Sequence, residues 1–145
     1  MFKRILIPTD GSSASQRAIL AGVALARETG AAVIGLTVIP PFHSLTFRPE
    51  MLEATPESYE EEAARRARRI LGDVEQAALE AGVPCTVVQA SGDSAHEAII
   101  STARDRGCDL ILMASHGHKG IKGLLLGSET QKVLVHSAIP VMVYR

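Results

Sequence analysis

Short apolar runs alternate with longer segments of helical character along this chain. The apolar runs cover residues 5–7, 32–39, 85–90, 109–114 and 140–144. The helical segments cover about 13–29, 56–81, 95–106 and 128–135. Strands that are apolar at nearly every position are typical of parallel sheets buried on both faces. The alternation therefore predicts a single-domain α/β fold, Rossmann-like, with an open five-stranded parallel sheet and helices on both faces.

Residues typical of helix ends mark the boundaries of these segments. The predicted N-caps are Ser12 or Ser13, Thr55 (followed by Pro56) and Ser94, which begins a Ser-x-x-Glu capping box. The glycines expected to end helices are Gly30, Gly82 and Gly107. Residues 40–54 contain three prolines and no clear period, which predicts a loop.

Composition removes several classes of function. The 145 residues carry 15 Lys and Arg against 16 Asp and Glu, so no basic excess favours general nucleic-acid binding. No apolar run approaches the length of about 18 residues that a membrane span requires. Two cysteines cannot make the disulfide framework of a small secreted protein, and the N-terminus does not resemble a signal peptide. A cytoplasmic protein is expected.

In open parallel sheets, ligands bind beyond the carboxyl ends of the strands, where the strand order reverses. The segments that this rule selects are Pro8-Thr9-Asp10, Val38-Ile39 and the residues from Ala114 onward. A carboxylate such as Asp10 accepts hydrogen bonds from a ribose or an adenine amine and repels a triphosphate. For an isolated Asp after a strand, the role of a helix cap is the better interpretation, and contact with a nucleoside is the alternative.

The segment after the fourth apolar run is rich in glycine. Gly117, Gly120, Gly123 and Gly127 fall within eleven residues, between a predicted strand and a predicted helix. Glycines let backbone N–H groups approach an anion closely, and the first turn of a helix offers further N–H groups. Ser128 could cap that helix or bond a phosphate oxygen, and three cations lie close in sequence: His118, Lys119 and Lys122.

Other interpretations of this segment remain. It contains no G-x-x-x-x-G-K-[ST] motif, and glycines also serve flexible connections that need positive φ angles. Ser115, His116 and Asp109 could suggest a hydrolase, but two adjacent residues make a poor triad and no G-x-S-x-G elbow is present.

These residues carry a family resemblance over nearly the whole chain. The opening Ile5–Ser12, the pair of segments Ser115–Gly117 and Leu124–Ser128, and the ending Ile139–Val143 resemble the universal stress proteins. The nucleotide-binding branch of that family has the motif G-x2-G-x9-G-[ST], which places its second glycine on Gly117 and its end on Gly127-Ser128. The first glycine is replaced by Ala114, whose methyl group could narrow the approach to phosphates or be tolerated in an ordinary backbone conformation. If the motif instead began with Gly117-x2-Gly120, only six residues would separate Gly120 from Gly127, where the motif has nine.

The resemblance implies strand order 3-2-1-4-5, a homodimer, and ATP bound at the switch point. Any Mg²⁺ that accompanies the ATP is expected to be held mainly by the phosphates. It implies that Asp10 contacts the nucleoside and that the Val38 backbone bonds adenine. The candidate binding residues are Pro8, Thr9, Asp10, Ser12, Val38, Ala114, Ser115, His116, Gly117, Gly127 and Ser128. The alternatives are a dimeric interaction module without nucleotide, which Ala114 favours, and a slow ATPase. No catalytic or metal-ligating residue is assigned.

The last apolar run predicts how copies of the chain associate. Residues 140–144 are short, apolar and rich in valine, and no Lys or Glu interrupts them. A strand of this kind at a sheet edge pairs with another chain unless something blocks it. The expected outcome is a symmetric dimer through this strand, unless the loop at 40–54 covers the edge instead.

Overall fold

The fold was analysed in a computed structural model, which describes residues 1–42, 55–117 and 126–145. Five strands and four helices alternate in these residues. The strands are β1 (Arg4–Pro8), β2 (Ala32–Ile39), β3 (Cys85–Ser91), β4 (Leu110–Ala114) and β5 (Val141–Tyr144). The helices are α1 (Ser13–Thr29), α2 (Pro56–Ala81), α3 (Ala95–Asp105) and α4 (Ser128–His136). The sequence-based elements are confirmed, with ends shifted by one or two residues.

The strands form one parallel sheet in the order β3-β2-β1-β4-β5, as expected. One face of the sheet packs against α1 and α2 through a core that includes Ile7, Val33 and Val74. The opposite face packs against α3 and α4 through Leu6, Ile99 and Val133. The sheet is therefore buried on both sides, which explains why its central strands are apolar at nearly every position.

The predicted helix ends are also found. Ser12, Thr55 and Ser94 each accept a hydrogen bond from a backbone N–H of the first helical turn. Gly30 and Gly82 adopt left-handed conformations with φ of 74° and 69°, which is the geometry that makes glycine favourable there. These capping residues fix where the helices begin and end. The connecting loops therefore lie at the amino and carboxyl ends of the strands.

Asp109 lies just before β4 and connects the amino ends of two strands. Its carboxylate accepts hydrogen bonds from the backbone N–H groups of Lys3 and Arg4, at distances of 2.9–3.1 Å. Burial would raise the pKa of Asp109, but these bonds outweigh it and lower the pKa below its usual 3.8. This contact fixes the start of β1 beside the start of β4.

Replacing Asp109 with alanine is expected to destabilise the fold by about 1 kcal/mol, because the bonds involve a charged but solvent-screened acceptor. Since the folded pKa is depressed, this stabilisation is present above the unfolded pKa and disappears as pH falls through the folded value. Urea unfolding at pH 7 and at acidic pH checks this. A difference between wild type and variant that stays constant down to acidic pH would contradict the assignment.

Pro8 separates the two central strands at their carboxyl ends. Along β1, the backbone groups of Arg4 and Leu6 face β4, as the bond from Asp109 N–H to the Arg4 carbonyl shows. Pro8 occupies the next position on that side but has no N–H to donate. The registered pairing of β1 with β4 ends at Leu6, whereas the pairing with β2 continues through Pro8. The sheet is thus open between β1 and β4, where the strand order reverses.

Candidate functional site

The buried polar residues of the described chain gather at the carboxyl edge of the sheet. They are Thr9, Ser12, Ser15, Thr37, Ser115 and Thr130. Burying a polar side chain is unfavourable unless it is hydrogen-bonded, and no buried side-chain nitrogen or oxygen among the described residues lacks a partner. Buried polar side chains that are all hydrogen-bonded therefore lie beside the opening at Pro8.

Asp10 is held in a tight turn between β1 and α1. Gly11 has φ of 83°, a conformation that favours glycine, and the Ser12 N–H donates to Asp10 Oδ1 at 2.9 Å. The interpretation of Asp10 as the helix cap is wrong, because Ser12 is the N-cap of α1. The Asp10 carboxylate is instead fixed by the loop at the carboxyl edge of the sheet.

Ser15 is a site residue that the sequence analysis missed. Its hydroxyl lies 3.2 Å from Asp10 Oδ1, and it receives hydrogen bonds from the hydroxyls of Thr9 at 3.0 Å and Ser12 at 3.2 Å. Ser15 thereby links three predicted site residues and helps to orient the carboxylate. The signal in the sequence was its position three residues after the N-cap, where a side chain faces back toward the loop.

Gly117 brings the loop after β4 directly against Asp10. A Cβ atom built on Gly117 would lie 2.1 Å from Asp10 Oδ2. The positive-φ glycines among the described residues are Gly11, Gly30, Gly82 and Gly107, so Gly117 is required by space and not by backbone conformation. The alternative of a connection that needs positive φ angles therefore does not apply at Gly117 and Gly127, whereas Gly120 and Gly123 lie outside the described residues. The segment after β1 and the segment after β4 are therefore in direct contact.

The far end of the glycine-rich segment returns to the same place. The Gly127 N–H donates to the Ser115 carbonyl at 2.6 Å, and Thr130 Oγ1 donates to the Ala114 carbonyl at 3.0 Å. Gly127 is the N-cap of α4 and Ser128 is its first helical residue, so the prediction that Ser128 caps this helix is wrong. Ser128 is exposed, which leaves its hydroxyl accessible at the start of α4.

Val38 lies where β2 extends past β1. The backbone groups of Ala32 and Leu36 face β1, where they bond Lys3 and Thr9. The backbone groups of successive residues in a strand point alternately to its two neighbours. The N–H and C=O of Val38 therefore point to the β1 side, like those of Leu36, but past the bond that Thr9 makes. Val38 therefore presents a backbone donor and acceptor past the carboxyl end of β1.

The remaining candidates lie at the end of β4. Ala114 is the last residue of the strand, and it belongs to the core cluster on the face of α1 and α2. None of the described non-glycine residues has a positive φ, so the backbone of Ala114 is ordinary. Nδ1 of His116 lies 3.1 Å from the Ser115 hydroxyl, which orients the ring beside Gly117.

Some predictions lie elsewhere or outside the described residues. The structure does not describe residues 118–125, which include His118, Lys119 and Lys122. It also does not describe most of the loop at 40–54. Asp109 lies at the amino edge of the sheet, so it cannot join Ser115 and His116 in a triad. Within the described ranges, no group of three or more His, Cys, Asp and Glu residues could hold a metal ion.

Comparison with known proteins decides the family. The model of the universal stress protein family matches residues 1–145. This chain belongs to the universal stress protein family. Universal stress protein YxiE of Bacillus subtilis is 33% identical over 149 residues, covering the whole of both chains.

Solved structures of the family share the fold. The structure of MJ0577, a protein of Methanocaldococcus jannaschii, superposes with a TM-score of 0.83 at 29% identity, covering 99% of this chain and 95% of that one. The universal stress protein of Archaeoglobus fulgidus, solved in complex with dAMP, superposes with a TM-score of 0.70 at 15% identity, covering 99% of this chain and 98% of that one.

None of the helices in the described residues is both long and apolar enough to span a membrane.

The departure from the family motif at Ala114 gives a prediction. Because the Ala114 backbone is ordinary and the residue belongs to the core, Ala114→Gly should leave nucleotide affinity unchanged. It should destabilise the fold by about 1 kcal/mol, through lost packing and added entropy of the unfolded chain. Isothermal titration with ATP and urea unfolding check the two parts. A variant that binds ATP tighter than wild type would show that the methyl group obstructs the site.

Proposed function

We propose that this protein binds an adenine nucleotide, ATP, at the opening between β1 and β4. The observation that carries the proposal is the contact of Gly117 with Asp10, which joins the two segments into one site. The dAMP complex of the Archaeoglobus fulgidus protein supports an adenine nucleotide as the ligand class. In this proposal, Asp10 accepts hydrogen bonds from the ribose and the Val38 backbone bonds the adenine edge.

The phosphates belong at the other end of the opening. The start of α4 provides N–H groups and the positive end of a helix dipole, both of which favour an anion. Gly127 and Ser128 lie there, beside Ser115 and His116. Asp10 lies in the turn before α1, and we assign its negative charge to the nucleoside, because a carboxylate repels phosphates. Mg²⁺, if bound with ATP, is held mainly by the phosphates.

The proposed role is regulatory, in a cytoplasmic stress response. The described residues place a carboxylate, hydroxyls and one histidine at the site. We assign none of them as a general base for rapid hydrolysis. A homodimer through β5 completes the proposal and is argued in the Discussion.

Two measurements test nucleotide binding. Mass spectrometry of the small molecules released from freshly purified, denatured protein should find an adenine nucleotide. Unfolding with ATP and Mg²⁺ at 100 times the dissociation constant should show a stabilisation of about 2.7 kcal/mol. An unchanged melting temperature in millimolar ATP, together with no released nucleotide, would favour the interaction module that works without a nucleotide.

Replacing Asp10 should weaken ATP and adenosine binding alike, by about tenfold, because a hydrogen bond to a charged acceptor is lost at the nucleoside end. Asp10→Asn removes the charge that the ligand would contact but keeps the loop geometry, because the amide oxygen can still accept a hydrogen bond from the Ser12 N–H. Asp105→Ala, at an exposed carboxylate paired with Arg104, is the control. Titration with both ligands decides. Adenosine binding that survives Asp10→Ala at full strength would contradict the assigned role.

A further inference from the structure

Glu129, in the first turn of α4, makes its shortest hydrogen bond to a different helix. Its Oε2 accepts the backbone N–H of His96 at 2.8 Å and lies 3.2 Å from Nδ1 of the same residue. Its Oε1 lies 3.4 Å from the ammonium of Lys132. His96 is the second residue of α3, so its N–H has no acceptor within its own helix. The carboxylate of Glu129 therefore caps α3 from α4.

The electrostatics agree with this geometry. Burial would raise the pKa of Glu129, but the hydrogen bonds from His96 and Lys132 outweigh it and lower the pKa below its usual 4.5. Glu129 is thus a charged group at neutral pH. An acidic residue in a first turn usually stabilises its own helix N-terminus. Here the charge is directed to the neighbouring helix instead.

Among the residues that the structure describes, no side chain makes a capping hydrogen bond at the start of α4. The helices α1, α2 and α3 each begin with a side-chain cap, supplied by Ser12, Thr55 and Ser94. The N-cap of α4 is Gly127, which supplies no side-chain hydrogen bond. The N–H groups of this turn border the place where the proposed function puts the phosphates.

We propose that Glu129 is a positioning residue, held on α3 by His96 so that the start of α4 stays open for the phosphates of the nucleotide. The inference rests on the proposed function. Released from α3, the same carboxylate would reach the N–H groups of its own helix and compete with phosphate. Selectivity for a phosphorylated ligand over the bare nucleoside then depends on the contact between α3 and α4.

Two replacements of Glu129 separate its charge from its contact with α3. Glu129→Asp keeps the charge but is too short to reach His96, and aspartate favours the N–H groups of its own first turn. It should weaken ATP binding about threefold, the effect expected of one misplaced charge at a helix end. Glu129→Gln removes the charge and should bind ATP at least as tightly as wild type. Adenosine binding should not change in either variant.

Glu97→Asp is the matched control, because Glu97 lies in the first turn of α3 and is exposed. The ATP difference between the Asp and Gln variants of Glu129 should shrink at high salt, since screening weakens charge effects. Amide exchange at His96, measured without ligand, should quicken in Glu129→Asp.

The outcomes are distinct. Equal losses of ATP and adenosine affinity in both variants would show that Glu129 only holds α4 in place, and would overturn the inference. ATP binding that is unaffected by Glu129→Asp would also overturn it, while leaving the proposed function intact. A wild-type protein that binds neither ligand would overturn both.

Discussion

Gly117→Val should abolish nucleotide binding while the protein stays folded. Even a single Cβ at this position would lie 2.1 Å from Asp10 Oδ2, far inside van der Waals contact. The Asp10 carboxylate cannot move away freely, because Ser12 and Ser15 hold it. The valine must therefore displace either the carboxylate or the loop after β4. Both the nucleoside and the phosphate contacts are lost, so we expect affinity to fall roughly 100-fold or more, about 2.7 kcal/mol.

The control for this prediction is a second glycine. A Cβ on Gly72, in α2, would meet nothing within 4 Å, so Gly72→Ala should leave ATP binding unchanged and stabilise the helix by about 0.5–1 kcal/mol. Gly117→Ala should show a weaker form of the valine effect. Isothermal titration with ATP, with circular dichroism to confirm folding, measures all three. Wild-type affinity in Gly117→Val would disprove the placement of the nucleotide.

The order of elements could be predicted from the sequence because its signals are local. Apolar runs and the caps Ser12, Thr55 and Ser94 act over a few residues, and the structure places all of them as expected. The strand order followed from the family resemblance, not from the pattern. Apolar runs alone do not determine which strands are neighbours.

The details of the site could not be predicted because they depend on contacts between distant segments. The sequence offered close approach to a phosphate, or a positive φ, as reasons for glycine at 117, but not its contact with Asp10, more than one hundred residues earlier. The carboxylate of Glu129 bonds the N–H of His96, 33 residues earlier in the chain, a contact that no local pattern indicates. Ser15 was the exception, since its spacing from Ser12 is visible in the sequence.

The position of β5 supports association of two chains. β5 is an edge strand, as predicted, and it pairs only with β4 among the described strands. The carbonyls of Pro140 and Tyr144 accept hydrogen bonds from β4, so the backbone of alternate residues, Val141 and Val143, faces the open edge. Met142 is 40% exposed and Tyr144 is 42% exposed. On α4, which packs against β5, Val135 is 75% exposed.

These features make a symmetric dimer through β5 the expected state, because pairing two copies satisfies the open edge and covers the exposed apolar side chains. Val143→Pro tests this with little harm to the monomer. The N–H that it removes faces outward, so the ladder to β4 is retained, and proline is tolerated on an edge strand in that orientation. The expected result is a folded monomer where the wild type is a dimer, measured by sedimentation or light scattering.

The opposite edge strand, β3, provides the control for this test. Pro84 accepts a hydrogen bond from Val33, and the Gly92 N–H donates to the Ile39 carbonyl, so the even-numbered residues of β3 face β2. Gln89 then faces outward on β3, as Val143 does on β5, and its side chain is exposed. Gln89→Pro removes an equivalent outward donor and should leave the dimer intact. If both proline variants remain dimers, or if the wild type is monomeric at high concentration, the two copies do not associate through β5. If only Val143→Pro is monomeric, the open edge of β5 is the interface, because the two variants differ in which edge they block and not in the kind of change made.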